Sequence, residues 1–480
     1  MSLSTPGQQS INSTVISEFE SYAEGLKCDA VNNSHRVFLL FECQHPADAL
    51  ILRAWFDRLP ETQRTWQPQQ SKTDRTDQIQ KLLGTETELV VYDATRGVDP
   101  RLLAATAGTL SAGGLYLMLT PPLHIWANTH DHEYDIAQSV FLDHLSNHIQ
   151  QHCTRSPVPH LWQIKTASNQ SAPCSLSDQL TEQNELLAQI SQNLRTNDNA
   201  VAVIQADRGR GKSTLLARLL VNRAASAENN TTVTALHASA TEVLQRYCDQ
   251  QQQAMTFLPL QEALRQKHEL LLVDEAATIP LEQLMILAAQ SQQIVFATTV
   301  DGYEGAGRGF ATRFTKLLDQ RHAGWHLYQP TQAIRWQSGD PLESMLNQAL
   351  LLKSTLPTKP TTPIALDKIV CQQLTPTQLS QNPKTLEQAF ALLARAHYQT
   401  TAMDLRHMLD SPGMSVWVAS IDGIPCAAAL VCTEGKLDDS WYDSVANKRR
   451  RLKHQLLPQL LTQFTLQEGL LSPLALMLKH

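Results

Sequence analysis

The sequence predicts an α/β protein assembled from three consecutive α/β segments, and three stretches carry that reading. "ELVVYDATRGVDPRLLAATAGTLSAGGLYLMLTPP" alternates strand, helix and strand, the pattern of a parallel α/β unit. "AVAVIQADRGRGKSTLLARLL", Ala200 to Leu220, is an apolar strand, a glycine-bearing loop and an apolar-periodic helix. "SVWVASIDGIPCAAALVC" is two strands around Asp422-Gly423, a hairpin signal. Two polar, proline-bearing stretches read as linkers, "TRSPVPHLWQIKTASNQSAPCSLSD" and "KSTLPTKPTTPIAL". Domains are therefore expected at residues 1–165, 175–355 and 365–480.

In the first segment, the strand from Leu89 to Tyr92 runs into a loop holding Asp93 and Gly97. Asp99 suits the N-cap of the following helix and Pro100 its first position. Gly113-Gly114 is expected to end that helix, and "LYLMLTPP" to form the next strand, closed by Pro121-Pro122. Asp93 at a strand end either touches a ligand or only makes the turn, the simpler reading.

Composition sets limits. With 480 residues, 42% apolar and 18% charged, the chain can bury a large core. A net charge of −7 argues against a basic coat over the whole chain but leaves room for a local basic patch. The eight cysteines form no CxxC pair, so neither a zinc set nor a disulfide framework is indicated. "MSLSTPGQQS" lacks the basic and apolar regions of a signal peptide. No apolar run reaches the ~18 residues of a membrane span. A cytoplasmic protein, monomeric and without membrane contact, is expected.

The second segment carries the chemistry. Ala206-Asp207-Arg208-Gly209-Arg210-Gly211-Lys212-Ser213 meets the fingerprint G-x-x-x-x-G-K-[ST] except at its first glycine. Backbone N–H groups of such a loop and the helix N-terminus face phosphates. Lys212 would reach the β/γ oxygens and Ser213 would hold Mg²⁺. Expected nucleotide contacts run from Gln205 through Thr214. Ala206 is tolerable if its position needs no positive φ. In "HELLLVDEAATIP", the apolar run Leu270 to Val273 suits a buried parallel strand. Asp274 at its end can hold the metal through water, and Glu275 can orient or deprotonate an attacking water. A third strand, "QIVFATTV", places Thr298 and Thr299 where a γ-phosphate could be sensed. Glycines 302, 305, 307 and 309 follow in a loop that either approaches a ligand or lies on the surface.

"ADRGRGKS", "LLVDEAATIPL", "TTVDGYEGAGRGFATRF" and "QAIRWQSGDPLE", in that order, resemble the bacterial tRNA(Met) cytidine acetyltransferase family, relatives of the eukaryotic RNA cytidine acetyltransferases. The first segment is similar to that family's N-terminal domain. The resemblance implies a Rossmann-like α/β domain, a RecA-like P-loop NTPase/helicase domain and a GNAT-like α/β domain. It implies a role for Gln183 in reading adenine and for Arg335 in contacting nucleotide phosphates. On the residues alone these would be a helix-surface glutamine and a salt-bridged arginine. It further implies ATP (or GTP), Mg²⁺ and acetyl-CoA as cofactors and tRNA(Met) as partner.

"AFALLARAHYQTTAMDLRHMLDSPGMSVWVASIDGIPCAAALVCTEGKL" resembles the beginning of the GNAT domain. One helix carries Phe390, Leu393 and His397, and a second starts after Thr400-Thr401 and ends near Pro412-Gly413. His397 is either structural or, as the resemblance implies, close to the cytidine or the acetyl group. Lys448 to Arg451, with Lys453, either contact RNA phosphate or start a solvated helix. Between 365 and 480 no Arg/Gln-x-x-Gly-x-Gly/Ala loop occurs for the acetyl-CoA pyrophosphate. The expectation is a GNAT domain cut short, and an ATP-hydrolysing chain that transfers no acetyl group. The family reaction is N4-acetylation of the wobble cytidine of elongator tRNA(Met). Its rivals are an RNA-stimulated NTPase with an inactive acetyltransferase remnant and a non-enzymatic nucleotide-dependent RNA-binding module.

Overall fold

The computed structural model describes residues 13–56, 64–67, 86–129, 134, 136–165, 176–207, 209–225, 230–299, 307–322, 324–337, 339–354, 356, 366–396, 400–434, 449 and 460. The chain forms two compact units. The first draws on residues 1–129, 142–355 and 394–405, and the second on 130–141, 356–393 and 406–480.

The first unit contains two six-stranded sheets. The N-terminal one begins with helix α1 (Ser13–Asn33), strand β1 (Val37–Glu42), helix α2 (Pro46–Phe56), β2 (Arg64–Gln67) and β3 (Thr87–Asp93). Helix α3 (Pro100–Thr109), β4 (Leu110–Thr120), α4 (Val140–His152), β5 (Cys153–Arg155) and β6 (Leu161–Ile164) complete it. The order is β2-β3-β4-β1-β6-β5. The first four strands are parallel, and β6 and β5 add an antiparallel edge. Near-continuous apolar runs such as "VFLLFE" are buried along β1 because the strand lies inside the sheet with layers on both faces.

Asp99 caps α3 through its side chain, which accepts from the N–H groups of Arg101 and Leu102, and Pro100 stands at the first helical position, both as expected. Asp93 makes the turn: its Oδ1 accepts from Thr95 N and Thr95 Oγ1. Two expectations are corrected. Helix α3 ends at Thr109, not at Gly113-Gly114, because fully buried Leu110 turns extended and opens β4. The glycines lie within β4, where the register jumps from Leu110↔Thr87 to Leu115↔Leu89. Gly113 adopts φ +76, and a Cβ there would lie 2.4 Å from Val31 Cγ2 on α1. The first linker is also shorter than expected, since Leu161–Ile164 within it is strand β6, paired to β1.

The second sheet is entirely parallel, in the order β12-β7-β11-β10-β8-β9. Helix α5 (Leu176–Thr196) leads into β7 (Val201–Ala206), α6 (Lys212–Ala225), β8 (Thr231–Thr234), α7 (Glu242–Gln250) and β9 (Thr256–Phe257). Strand β10 (His268–Val273), α8 (Leu281–Gln290), β11 (Ser291–Thr299), α9 (Gly307–Arg321), β12 (His326–Tyr328) and α10 (Pro341–Ala349) follow. The apolar faces of β7, β10 and β11 feed cores on both sides of the sheet. Strand β11 separates β7 from β10, so the loops after β7 and β10 open on one end of the sheet with β11 between them.

The second unit is built on the antiparallel sheet β13-β14-β15, formed by β13 (Ile369–Leu374), β14 (Met414–Ile421) and β15 (Ile424–Cys432). Asp422 (φ 49) and Gly423 (φ 76) turn β14 into β15, as the hairpin signal required. The helices expected before it are α11 (Pro383–Ala396) and α12 (Ala402–Asp410). His397 lies outside the described residues, as do Lys448, Arg450, Arg451 and Lys453; Arg449 is exposed. No helix among the described residues is long and apolar enough to cross a membrane.

Within the first unit, buried Arg36, just before β1, ties the two sheets together. Its NH2 lies 2.7 Å from Asp340 Oδ1, its Nε 3.2 Å from the same oxygen and its backbone N 2.9 Å from Oδ2. NH1 donates to Ala107 O, and the guanidinium stacks 3.6 Å over the Trp336 ring. Asp340 also caps α10 by accepting from Glu343 N. Asp340→Ala removes the cap and strands a buried cation, a loss of about 3–5 kcal/mol by analogy with broken buried pairs. Asp340→Ala is expected to lower the melting temperature by several degrees or more, read by differential scanning calorimetry.

Candidate nucleotide-binding site

The phosphate-type loop sits between β7 and α6, as its sequence order requires. Gly209 and Gly211 adopt φ values of 72 and 73. Gly211 has a second reason to lack a side chain, because a Cβ there would lie 2.2 Å from Ile334 Cδ1. Ala206, which replaces the usual first glycine, ends strand β7 and is not among the positive-φ residues, so its methyl group costs nothing. Lys212 is buried, and its Nζ donates to the carbonyls of Ala206 and Asp207 at 3.2 Å each. Gly211 O accepts from Leu215 N and begins the helical ladder of α6.

Asp274 follows β10 and is fully buried. Its Oδ1 accepts from Glu275 N at 2.9 Å, and Oδ2 has no hydrogen-bond partner. Burial, then the charge of Glu275, pushes its carboxyl up to about 7 against the pull of Ser213, the Glu275 N–H and Lys212. Glu275 holds the left-handed conformation φ 46, ψ 48, a strained backbone of the kind that collects at functional sites. Thr299, at the end of β11, donates from Oγ1 to Glu275 Oε2 at 3.1 Å. Thr298 Oγ1 is buried without a hydrogen-bond partner.

Lys212, Ser213 and Glu275 share one open cleft, and buried Asp274 stands next to Glu275. Gly209, Gly211, Lys212, Ser213, Thr214 and Glu275 line the cleft, together with Ile334, Arg335 and Glu86. A buried, unpartnered carboxylate oxygen beside a serine hydroxyl fits a divalent cation: Ser213 Oγ and Asp274 are the donors available for one.

Not every residue from Gln205 to Thr214 lines the cleft. Gln205 is buried within β7, paired to Thr298. Asp207 Oδ2 turns to Lys353 Nζ at 2.9 Å. Arg210 NH2 turns to Glu343 Oε1 at 2.8 Å. Burial alone would raise the Glu343 carboxyl, but Arg210, the Trp336 N–H and Lys353 outweigh it and hold it low. Arg208 lies outside the described residues. Gln183 is buried, not on the helix surface: its Nε2 donates to Arg210 O at 2.9 Å while Oε1 has no hydrogen-bond partner. Arg335 reaches the cleft wall, where its Nε lies 3.2 Å from Glu86 and its NH1 donates to Gly108 O. Gly307 opens α9, and residues 301–306 are outside the described set.

Sequence reasoning missed Glu86, Glu182, Glu343 and Lys353. Glu343 lies in the quoted "QSGDPLE", so its motif was visible although its role was not. Glu182, beside Gln183 on α5, accepts from the N–H groups of Thr331 and Gln332 and from Thr331 Oγ1. Nothing local to Glu86 marks it.

Residues 203–353 match the family model described as RNA cytidine acetyltransferase NAT10/TcmA, helicase domain, and residues 16–159 match tRNA(Met) cytidine acetyltransferase TmcA, N-terminal. The chain is 31% identical to the tRNA(Met) cytidine acetyltransferase TmcA of Nitrosococcus halophilus, covering 83% of this chain and 58% of that protein. It is 33% identical to the protein of the same name from Pectobacterium atrosepticum, covering 79% and 56%. The chain thus spans a little over half the length of the curated relatives it matches.

The Asp274 carboxyl makes stability pH-dependent. Its folded pKa, about 7, exceeds the ordinary aspartate value of 3.8, so its contribution is full below about pH 4 and is lost as pH rises toward 7. In metal-free buffer, raising pH from about 5 to about 8 is expected to lower the melting temperature more in the parent protein than in Asp274→Asn. Parallel pH profiles would contradict the assignment.

Proposed function

Because the chain belongs to the tRNA(Met) cytidine acetyltransferase family, we propose that its P-loop site binds and hydrolyses ATP or GTP in the service of N4-acetylation of the wobble cytidine of elongator tRNA(Met), with acetyl-CoA as donor. The observation that supports it best is the convergence of Lys212, Ser213 and Glu275, from β7–α6 and the end of β10, on one cleft, with buried Asp274 next to Glu275 and close to Ser213.

In this reading Lys212 Nζ gives up the carbonyls of Ala206 and Asp207 for β/γ-phosphate oxygens, a stronger charge-assisted contact. Backbone N–H groups of Gly209 to Thr214, at the start of α6, hold the phosphates. Ser213 and Asp274 would hold a Mg²⁺ ion, which when bound neutralises charge on the β/γ-phosphates. Glu275 orients or deprotonates a water for in-line attack, and Thr299 fixes its carboxylate. Gln183 reads adenine with its carboxamide, whose unpartnered Oε1 can accept from the base. Arg335, which lines the same cleft, stabilises phosphate charge. The energy released serves RNA positioning or release, so no track or filament is required. His397 is assigned near the cytidine or acetyl group on family resemblance alone. Residues 366–434 include no Arg/Gln-x-x-Gly-x-Gly/Ala loop, so acetyl transfer is assigned to the family protein as a whole and not to these residues.

Lys212→Ala is expected to abolish nucleotide hydrolysis in a folded protein, and Glu275→Gln to keep nucleotide binding while turnover falls about 100-fold or more. Steady-state phosphate release and calorimetric ATP binding measure the two effects. Parent-level hydrolysis by Lys212→Ala would remove the assignment.

Gln183→Ala is expected to weaken ATP more than inorganic tripolyphosphate, by competition binding. Equal weakening of both would reassign Gln183 to holding the loop through Arg210 O.

A further inference from the structure

Glu86 immediately precedes β3 of the N-terminal sheet, yet its side chain lines the nucleotide cleft of the second sheet. Its Oε1 lies 3.2 Å from Nε of Arg335, and its Oε2 lies 3.8 Å from NH1 of Arg246 on α7. Two guanidinium groups of the nucleotide domain thus share one carboxylate supplied by a different sheet. Arg246 stands one helical turn from Val243, which also lines the cleft. Glu275 has a place in the proposed hydrolysis, but Glu86 has none. A carboxylate in a cleft built for phosphate repels the ligand directly and occupies its cations.

We infer that Glu86 is a resident counter-ion of the nucleotide cleft, displaced when a nucleoside triphosphate takes over Arg335 and Arg246. The inference rests on the nucleotide reading above. A triphosphate and a carboxylate are acceptors of the same kind for a guanidinium, and the triphosphate carries more charge. The Glu86 side chain is 44% exposed, so releasing it to water recovers its hydration at little structural cost. Arg335 stays anchored during the exchange through NH1 on Gly108 O. Its backbone is also fixed, because Ala112 N donates to Arg335 O and Ile334 N donates to Gly209 O. Nucleotide occupancy is thereby reported to the N-terminal sheet as the loss of the Glu86 ion pairs. The opposite role, in which Glu86 aims Arg335 at the phosphate, makes the opposite prediction.

The test is calorimetric binding of magnesium–ATP to the full chain. Glu86→Gln keeps the shape and hydrogen bonding of the side chain and removes its charge. It is expected to tighten ATP binding about two- to fivefold, the size of a partly exposed ion pair. In an Arg335→Gln background the same substitution is expected to gain less than twofold, because the competing pair is already broken. Unchanged or weaker binding by Glu86→Gln, or an equal gain in both backgrounds, would overturn the inference. Lys212→Ala separates the two readings: ATP binding that Lys212→Ala abolishes but Glu86→Gln does not tighten leaves the nucleotide site standing and removes only the role of Glu86. A parent chain that binds no ATP overturns both.

Discussion

A guanidinium buried between two sheets constrains much of the first unit. Arg36 is almost fully inaccessible and survives there because Asp340, the Ala107 carbonyl and the Trp336 ring satisfy it on every side. Its partners are informative. Ala107 belongs to α3 beside the N-terminal sheet, while Trp336 and Asp340 lie in the strap, residues 329–340, that leads from β12 into α10. One side chain therefore sets the distance between the N-terminal sheet and that strap.

The strap in turn shapes the glycine-bearing loop between β7 and α6. Ile334 and Trp336 pack where side chains on Gly211 and Gly209 would otherwise stand, and Ile334 N donates to Gly209 O. Glu182 holds the beginning of the strap, and neighbouring Gln183 holds the Arg210 carbonyl. The loop's own charges are divided by the same framework. Asp207 and Arg210 are drawn to Lys353 and Glu343 behind the loop, which leaves Lys212 as the cation of the loop that lines the cleft among the described residues. A loop rich in basic residues thus turns one of them into the cleft and spends another on an ion pair that holds the loop in place.

Where local rules governed, reading the residues succeeded. The Asp99 cap with Pro100, the Asp422-Gly423 turn, and strands β7, β10 and β11 depend on neighbours within a few residues or on an unbroken apolar run. Where a distant partner competed, it failed. Gly113-Gly114 resembles a helix stop, but burial of Leu110 and the close approach of Val31 make it an irregularity within β4. "LWQI" resembles linker because its four residues gain their sense only by pairing with β1. β13 drew no notice for a similar reason: "IVCQQL" has no clear alternation and is largely exposed, and its pairing with β14 defines it.

The sequence by itself determined the α/β class, the glycine-bearing strand-to-helix loop with Lys212 and Ser213, the acidic pair Asp274-Glu275 after an apolar strand, and the family. Those features are written in contiguous residues, since a helix N-terminus, a glycine turn and a strand end are made locally. Only the tertiary structure decided which loop residues face the cleft, that Gln183 is buried, and that Glu86 reaches in from another sheet. Those outcomes rest on ion pairs and close contacts between residues up to some 300 positions apart, as in the Arg36–Asp340 pair. No window of sequence contains both members of such a pair, and the energy of each depends on burial that only the folded chain supplies.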